Sequence, residues 1–280
     1  QKTAYEILSG LVGSEMCIRD RMTTIQNCAI YPSLKDKVVL ITGGASGIGS
    51  SIVEHFCIQQ SKVVFLDIND KEAKEVIKFN SSKYSNEPIY YNCDLTDTEK
   101  LISTINKIGS DIGEVSILIN SAAHDERHEM DSVTSEYWDD RMNANIKHFF
   151  FAAQTCSKMM KNNGGGTIVN IGSFSWMMGI GGMICYTTAK SAVSGLTRSL
   201  ARELGEYNIR VNCVVPGWIM TKRQLDLWVT PEVKKQQLEK QCLKRLLEPN
   251  EIAKAILFFA SDDSSATSAQ NFVFDGGIVN

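Results

Sequence analysis

The run Val38-Val39-Leu40-Ile41-Thr42 leads directly into Gly43-Gly44-Ala45-Ser46-Gly47-Ile48-Gly49 and then into an amphipathic run over Ile48–Gln60, and no other stretch limits the possible folds as much. A β-branched segment, a glycine turn and a helix start, in that order, make the first βα unit of a parallel sheet. Missing side chains let the backbone approach an anion, and the unpaired N–H groups and positive dipole end of the helix favour it, so this turn suits a pyrophosphate. The spacing is Gly-x-x-x-Gly-x-Gly rather than the commoner Gly-x-Gly-x-x-Gly. A glycine cluster alone is equally a structural turn; its position between strand and helix favours the phosphate reading. Gly43, Ser46, Gly47, Ile48 and Gly49 are the expected cradle.

The same rhythm continues to the end of the chain. Strands are predicted at Val38–Thr42, Lys62–Asp67, Ile89–Tyr91, Val115–Asn120, Thr167–Ile171, Ile209–Val214 and Phe272–Phe274. Helical spacing of apolar residues marks Ile48–Gln60, Lys71–Phe79, Thr98–Ile108, Ser135–Lys161, Tyr186–Glu206 and Glu251–Ser261. The expected architecture is α/β: a Rossmann-type, doubly wound, seven-stranded parallel sheet with helices on both faces. Internal repeats and low-complexity segments are absent, and Asn162–Gly166 reads as the turn that ends a long helix. Thr221–Leu247, between the sixth strand and the last helix, is the expected substrate-covering lid, because insertions at the carboxyl ends of parallel strands overhang the ligand crevice.

The 280 residues are 43% hydrophobic and 22% charged, enough to bury a full core without staples, so one domain is expected over residues 22–280. Met16-Cys17-Ile18-Arg19-Asp20-Arg21 is similar to a translated sequencing-library end and Met22 to a natural start, which makes residues 1–21 an expected artefact; a genuine short extension is the alternative. Net charge is -3 with both signs interspersed, which leaves no footprint for nucleic acid or an anionic membrane and points to a small-molecule partner. Apolar runs such as Ala255–Ala260 fall far short of the about 18 residues that cross a bilayer. The eight cysteines form no Cys-x-x-Cys pair and the four histidines no ligand set, so free thiols in a reducing cytoplasm and no metal are expected.

Asp67 closes the second strand, twenty residues after Gly47, where a carboxylate can accept hydrogen bonds from adenosine ribose hydroxyls. It would repel a 2′-phosphate, and no Arg or Lys stands within the glycine loop or directly after it, so NAD is expected over NADP. A strand-end Asp capping its own turn is the alternative. Tyr186 and Lys190 are spaced i, i+4 on a helix, so phenol and ammonium meet, and the ammonium is expected to draw the phenol pKa down from near 10. Ser173 lies thirteen residues upstream, just past a strand end.

From Lys37 to Gly277 the chain resembles the short-chain dehydrogenase/reductase family. The resemblance implies that Asp94 and Leu95 contact adenine, that Asn120 stands by the cofactor at the end of the fourth strand, and that Pro216, Gly217, Ile219 and Thr221 border the nicotinamide, with Thr221 bonding its carboxamide. It further implies a tetrad of Asn145, Ser173, Tyr186 and Lys190. Tyr186 takes the substrate hydroxyl proton, Ser173 holds the reacting oxygen, Lys190 lowers the tyrosine pKa and binds ribose, and Asn145 positions a relay water. Two positions depart from the family pattern: Ala123 and Ala269 stand where glycine is usual. A homotetramer is implied, with Ser135–Lys161 and Tyr186–Glu206 at one interface and the C-terminal segment at another.

Within the family, Ala29–Lys35, His124–His128, Ser173–Trp176 and Gln241–Lys244 resemble bacterial NAD-dependent aldose 1-dehydrogenases that act on D-xylose and related pentoses. Asp125, Arg127, His128, Ser175 and Trp176 are the expected sugar contacts; a solvated loop is the competing reading for Asp125–His128, and packing of the pocket wall that for Trp176. Another secondary alcohol or ketone is the alternative substrate, and a non-catalytic NAD-binding protein the alternative class.

Overall fold

The computed structural model describes residues 28–279, so the expectation for residues 1–21 lies outside the described residues. Seven strands, β1 (Val38–Thr42), β2 (Lys62–Asp67), β3 (Ile89–Asn92), β4 (Ile117–Asn120), β5 (Gly166–Ile171), β6 (Ile209–Pro216) and β7 (Asn271–Phe274), pair in the order β3-β2-β1-β4-β5-β6-β7. Every pairing is parallel. The chain winds outward from β1 toward β3, then returns to β4 on the other side of β1. That reversal opens a crevice at the carboxyl ends of β1 and β4.

The helices are α1 (Gly47–Ile58), α2 (Asp70–Ser81), α3 (Thr98–Asp111), α4 (Ser135–Met142), α5 (His148–Asn162), α6 (Ile184–Leu204), α7 (Lys222–Leu227), α8 (Pro231–Lys240) and α9 (Pro249–Ala260). The strand pleat divides the core. Leu40, Leu66, Leu118, Ile168 and Val211 meet Ile105, Ala152 and Leu200 of α3, α5 and α6. Val39 and Ile41, equally buried, take the opposite face, where α1 packs on α9. Among the described residues no helix is long and apolar enough to cross a membrane.

Several boundaries differ from the sequence expectation, each for a local reason. Asn69 Oδ1 accepts the Glu72 N–H, so α2 starts at Asp70, and a reciprocal capping box between Glu248 and Glu251 starts α9 at Pro249. The single helix expected over Ser135–Lys161 is two helices joined by a π-helical turn at Asn143–Lys147. Inside it, Asn145 Nδ2 donates back to the Arg141 carbonyl at 2.9 Å, a side-chain bond that competes with the helical ladder and widens it. The expected lid carries two short helices, α7 and α8.

Both departures from the family pattern have a backbone answer. Ala123 is absent from the positive-φ residues, which among the described non-glycine residues are Asp36, Gln60, Asn208 and Ala269, so alanine fits there without strain. Ala269 does have φ +64°, held by its N–H donating to Val211 O at 2.8 Å. A left-handed alanine costs about 1–2 kcal/mol, and glycine returns part of that through a freer unfolded chain. Ala269→Gly is therefore expected to stabilise the fold by about 1 kcal/mol, read as a higher midpoint in urea unfolding; a lower midpoint would show that the methyl packs better than the backbone strains.

Candidate active site

A cavity of about 830 Å³ runs along the carboxyl ends of the strands. At one end the glycine turn leaves no space for side chains: a Cβ on Gly49 would lie 1.8 Å from Gly43 O, and one on Gly43, at φ +70°, would lie 2.7 Å from Ala122 Cα. Gly43, Ser46, Ile48 and Gly49 face the cavity, while Gly47 begins α1 and turns the chain. The Ser46 side chain makes no capping bond, so the first N–H groups of α1 remain available to an anion. The cradle therefore fits a pyrophosphate.

Asp67, Asp94 and Leu95 continue this end of the cavity. Asp67 Oδ2 accepts the Ala45 N–H at 2.9 Å, and Oδ1 accepts from Ile68 N and Asn69 N at 2.8 and 3.0 Å. The turn-capping alternative is thus present, while the same carboxylate also lines the cavity. Thr96 donates its N–H and hydroxyl to Asp94 Oδ1 and holds that carboxyl below its ordinary range. Sequence reasoning missed Thr42, whose Oγ1 accepts the N–H groups of Ser121 and Ala122 and ties the loop after β4 to β1. Asn120 needs correction as a cofactor contact: it is fully buried and donates to Asn170 Oδ1 at 2.9 Å, so it braces β4 against β5 while Ser121 and Ala122 face the cavity.

Three of the four residues of the expected tetrad converge in the middle. Ser173, at the end of β5, and Tyr186 and Lys190, on α6, line one stretch of the cavity. Lys190 is buried and its Nζ donates to Ile171 O at 2.7 Å, 5.8 Å from the centre of the Tyr186 ring. Burial lowers its pKa to about 8. Burial pushes the Tyr186 phenol up to about 12, against the direction expected from Lys190, with the Ser173 hydroxyl opposing that rise and the Asp125 carboxylate adding to it. Physically, desolvating a phenolate outweighs an ammonium whose proton is already committed to a carbonyl. Asn145 does not face the cavity; its Oδ1 accepts the His124 N–H at 2.8 Å and holds the loop that does. Buried His148, missed in the sequence, is kept neutral, its pKa lowered to about 3 by burial and then by Lys190.

The far end of the cavity is lined by the segment over 221–247 and the residues just before it. Pro216, Gly217, Ile219 and Thr221 form its base, where Gly217 N donates to Phe274 O and Thr221 Oγ1 caps α7 through the Gln224 N–H. Asp125 and Arg127 line the cavity, but both are engaged by lid residues. Asp125 accepts from Arg223 Nε at 3.0 Å and from Gln224 Nε2 at 2.6 Å, and the Arg127 guanidinium lies 4.5 Å from the centre of the Trp228 ring. Ser175 faces the cavity and bonds to Ser173.

Two expected sugar contacts are corrected. His128 does not reach the cavity: its Nε2 accepts the Cys185 N–H at the start of α6 and its Nδ1 lies 3.2 Å from the Tyr137 hydroxyl, so the ring seats the helix that carries Tyr186. Trp176 is carried away by the 3-10 turn Phe174–Trp176, which presents Phe174 and Ser175 instead. The aromatic wall comes from Trp218 and Trp228, with Trp218 Nε1 donating to Gln224 Oε1 at 2.7 Å. Trp218 falls within the stretch 216–221, while no local motif marks Gln224 or Trp228.

Comparison with known proteins places this geometry. Residues 43–279 match the family model described as Enoyl-(Acyl carrier protein) reductase. The chain is 43% identical over 249 residues to D-xylose 1-dehydrogenase of Caulobacter vibrioides, covering 89% of this chain and 98% of that one. It is 39% identical over 248 residues to a probable galactose dehydrogenase of Rhizobium meliloti, covering 89% and 97%. Among solved structures, the ligand-free aldohexose dehydrogenase of Thermoplasma acidophilum superposes with a TM-score of 0.77 at 28% identity, over 89% of this chain and 96% of that one.

The latch between the β4 loop and α7 is partly exposed, so its loss is worth only about 1 kcal/mol. Asp125→Ala is expected to speed protease cleavage within residues 221–247 about fivefold without lowering the melting temperature of the sheet, as read by limited proteolysis beside thermal unfolding. An unchanged cleavage rate would show that the lid is held by other contacts.

Proposed function

Because this chain belongs to the short-chain dehydrogenase/reductase family, we propose that it is an aldose 1-dehydrogenase that oxidises the anomeric hydroxyl of D-xylose or a related sugar to the lactone, with NAD as the oxidant. The observation that carries this reading is one continuous cavity lined by the glycine cradle, by Ser173 and Tyr186, and by Trp218, Gln224 and Trp228 of the lid. A pyranose offers hydroxyls for polar groups and an apolar face for indole rings, and this end of the cavity supplies both. The identity to a D-xylose 1-dehydrogenase and a probable galactose dehydrogenase supports the substrate class.

When bound, the nicotinamide cofactor supplies the hydride acceptor. Ser173 holds the anomeric oxygen by donating its hydroxyl proton, and Tyr186, deprotonated, takes the proton of that oxygen. Lys190, anchored on Ile171 O, sets a positive charge behind the phenol and faces the cavity where a ribose would lie. Asn145 acts by holding the His124 loop at the wall. Asp67, beside the cradle with no cation next to it in sequence, supports NAD over NADP.

The proposed working unit is residues 22–280 as a single domain in a homotetramer. Half-exposed Trp138, Phe150 and Ile184 on α4, α5 and α6 support an interface along those helices. Cys57, Cys93, Cys156, Cys185, Cys213 and Cys242 are free thiols, which supports a reducing cytoplasm.

NADH formation with D-xylose, L-arabinose, D-galactose, L-fucose and D-glucose tests the reading. Turnover with at least one sugar is expected, falling about tenfold per pH unit on the acid side because the base must be deprotonated, and falling at least about 10³-fold in Tyr186→Phe. Sugar turnover that survives Tyr186→Phe would remove the assigned base, and no turnover with any sugar would remove the aldose reading. Separately, Asp67→Ala is expected to narrow the preference for NAD over NADP about tenfold, the effect of losing roughly 1.4 kcal/mol of repulsion between a carboxylate and a 2′-phosphate in a partly solvated site. An unchanged ratio of kcat/KM values for the two cofactors would place the discrimination elsewhere.

A further inference from the structure

Ser173 and Ser175 sit at the two ends of one bond pair where β5 gives way to the 3-10 turn, and both line the cavity with 8% and 3% of their surface exposed. Their hydroxyl oxygens are 2.9 Å apart, and the Ser175 N–H donates to Ser173 Oγ at 3.2 Å. Among the described residues the Ser175 hydroxyl makes no other hydrogen bond. Two hydroxyls at this distance share one bridging proton, and either oxygen can be its donor.

The two directions are not equivalent. With Ser173 as donor, its single proton is spent on Ser175, and none is left on the oxygen beside Tyr186 for a reacting group. With Ser175 as donor, Ser173 Oγ accepts both the N–H and the O–H of Ser175, which fills its two lone pairs. Its own proton then has only the cavity to point into, where Tyr186 and a substrate oxygen lie. We propose that Ser175 is a positioning residue whose hydroxyl donates to Ser173 Oγ and thereby reserves the Ser173 proton for the reacting oxygen and the Tyr186 phenolate. This rests on the reading of Ser173 and Tyr186 as the reacting pair, and it gives Ser175 a different task from the sugar contact expected of it.

The consequence reaches the base. The Ser173 hydroxyl draws the Tyr186 pKa down, so a Ser173 proton left to wander stabilises the phenolate less. The other ionisable groups around the phenol are Lys190 on its own helix, His124, Asp125 and Arg127 on the loop after β4, and Lys240 on α8, with Cys185 beside it in the chain. Asp125 is the one of these that raises it. None of them is changed by substituting Ser175, so a shift of the phenol reports the hydroxyl.

The test compares Ser175→Ala, Ser175→Thr, Ser175→Cys and Ser173→Ala with the unsubstituted protein, using D-xylose and NAD across the acid limb of the pH profile, with NADH binding as the check of folding. Ser175→Ala is expected to lower kcat about 10- to 100-fold, to leave the sugar KM within about twofold, and to move the acid limb up by about half a pH unit. Ser175→Thr, which keeps a hydroxyl, is expected to stay within about threefold of the unsubstituted kcat, and Ser175→Cys, a weak donor, to follow alanine. A raised KM at unchanged kcat in Ser175→Ala would return Ser175 to a substrate contact and overturn the proposal, as would a limb that does not move or a cysteine variant of full activity. Full activity of Ser173→Ala would instead overturn the reacting pair itself. Should the unsubstituted protein not turn over D-xylose, the Tyr186 ionisation is read by ultraviolet difference between each variant and its Tyr186→Phe counterpart, where a Ser175→Ala phenol no higher than the unsubstituted one overturns the proposal.

Discussion

The contact on which the rest of this molecule depends is the close approach of backbone to backbone at the glycine turn after β1. The Gly43 carbonyl occupies the space a Gly49 side chain would need, and Gly43 itself is pressed against Ala122 from the loop after β4. The two loops are locked together from beneath by the Thr42 hydroxyl, which accepts the N–H groups of Ser121 and Ala122. Because β1 and β4 are sheet neighbours where the winding direction reverses, this lock sits at the mouth of the crevice. The start of α1, the Asp67 carboxylate and the wall made by His124–Arg127 all take their positions from it.

Burial acts in opposite directions on Lys190 and Tyr186, the two ionisable groups proposed for the chemistry. It favours the neutral lysine, bringing Lys190 to about 8, and disfavours the phenolate, taking Tyr186 to about 12. The Lys190 ammonium is tied to Ile171 O, 5.8 Å from the centre of the tyrosine ring, and the Ser173 hydroxyl is the group that draws the phenol down. The wall beyond these groups is apolar: Phe174, Met177, Ile180 and Trp218 pack with Ile278 and Val279 of the C-terminal segment, which Asp275 turns back by accepting from Gly277 N and Val279 N.

The fold was legible in the sequence to within a few residues at most boundaries because the signals are local. β-branched runs of Val38–Thr42 and Lys62–Asp67 cannot alternate with helical spacing in this way and form anything but a parallel sheet. The π-helical turn at Asn143–Lys147 was not legible, since Asn145, which bonds the Arg141 carbonyl through Nδ2, is also held through Oδ1 by a loop 21 residues earlier. Within the site, Gly43, Asp67 and Ser173 stood out by their places at strand ends, and Tyr186 with Lys190 as an i, i+4 pair whose role came from the family resemblance. Gln224 and Trp228 did not, because residues 221–247 have no period or motif, and the aromatic wall that Trp228 makes with Trp218 exists only once the chain folds over the crevice.

The linear order of strand, glycine turn, helix, strand-end acid and i, i+4 pair is a property of the chain, and it determined the parallel sheet, the phosphate cradle and the helix that carries Tyr186 with Lys190. Which way individual side chains face was decided only in three dimensions. Asn120 and Asn145, polar residues next to the crevice, turn from it because buried amides must be hydrogen-bonded, and their partners come from other elements, Asn170 and Phe149 for the one, His124 and Arg141 for the other. His128 likewise seats α6, and Asp125 latches the lid, because the groups that satisfy them are brought there by long-range packing that no local pattern encodes.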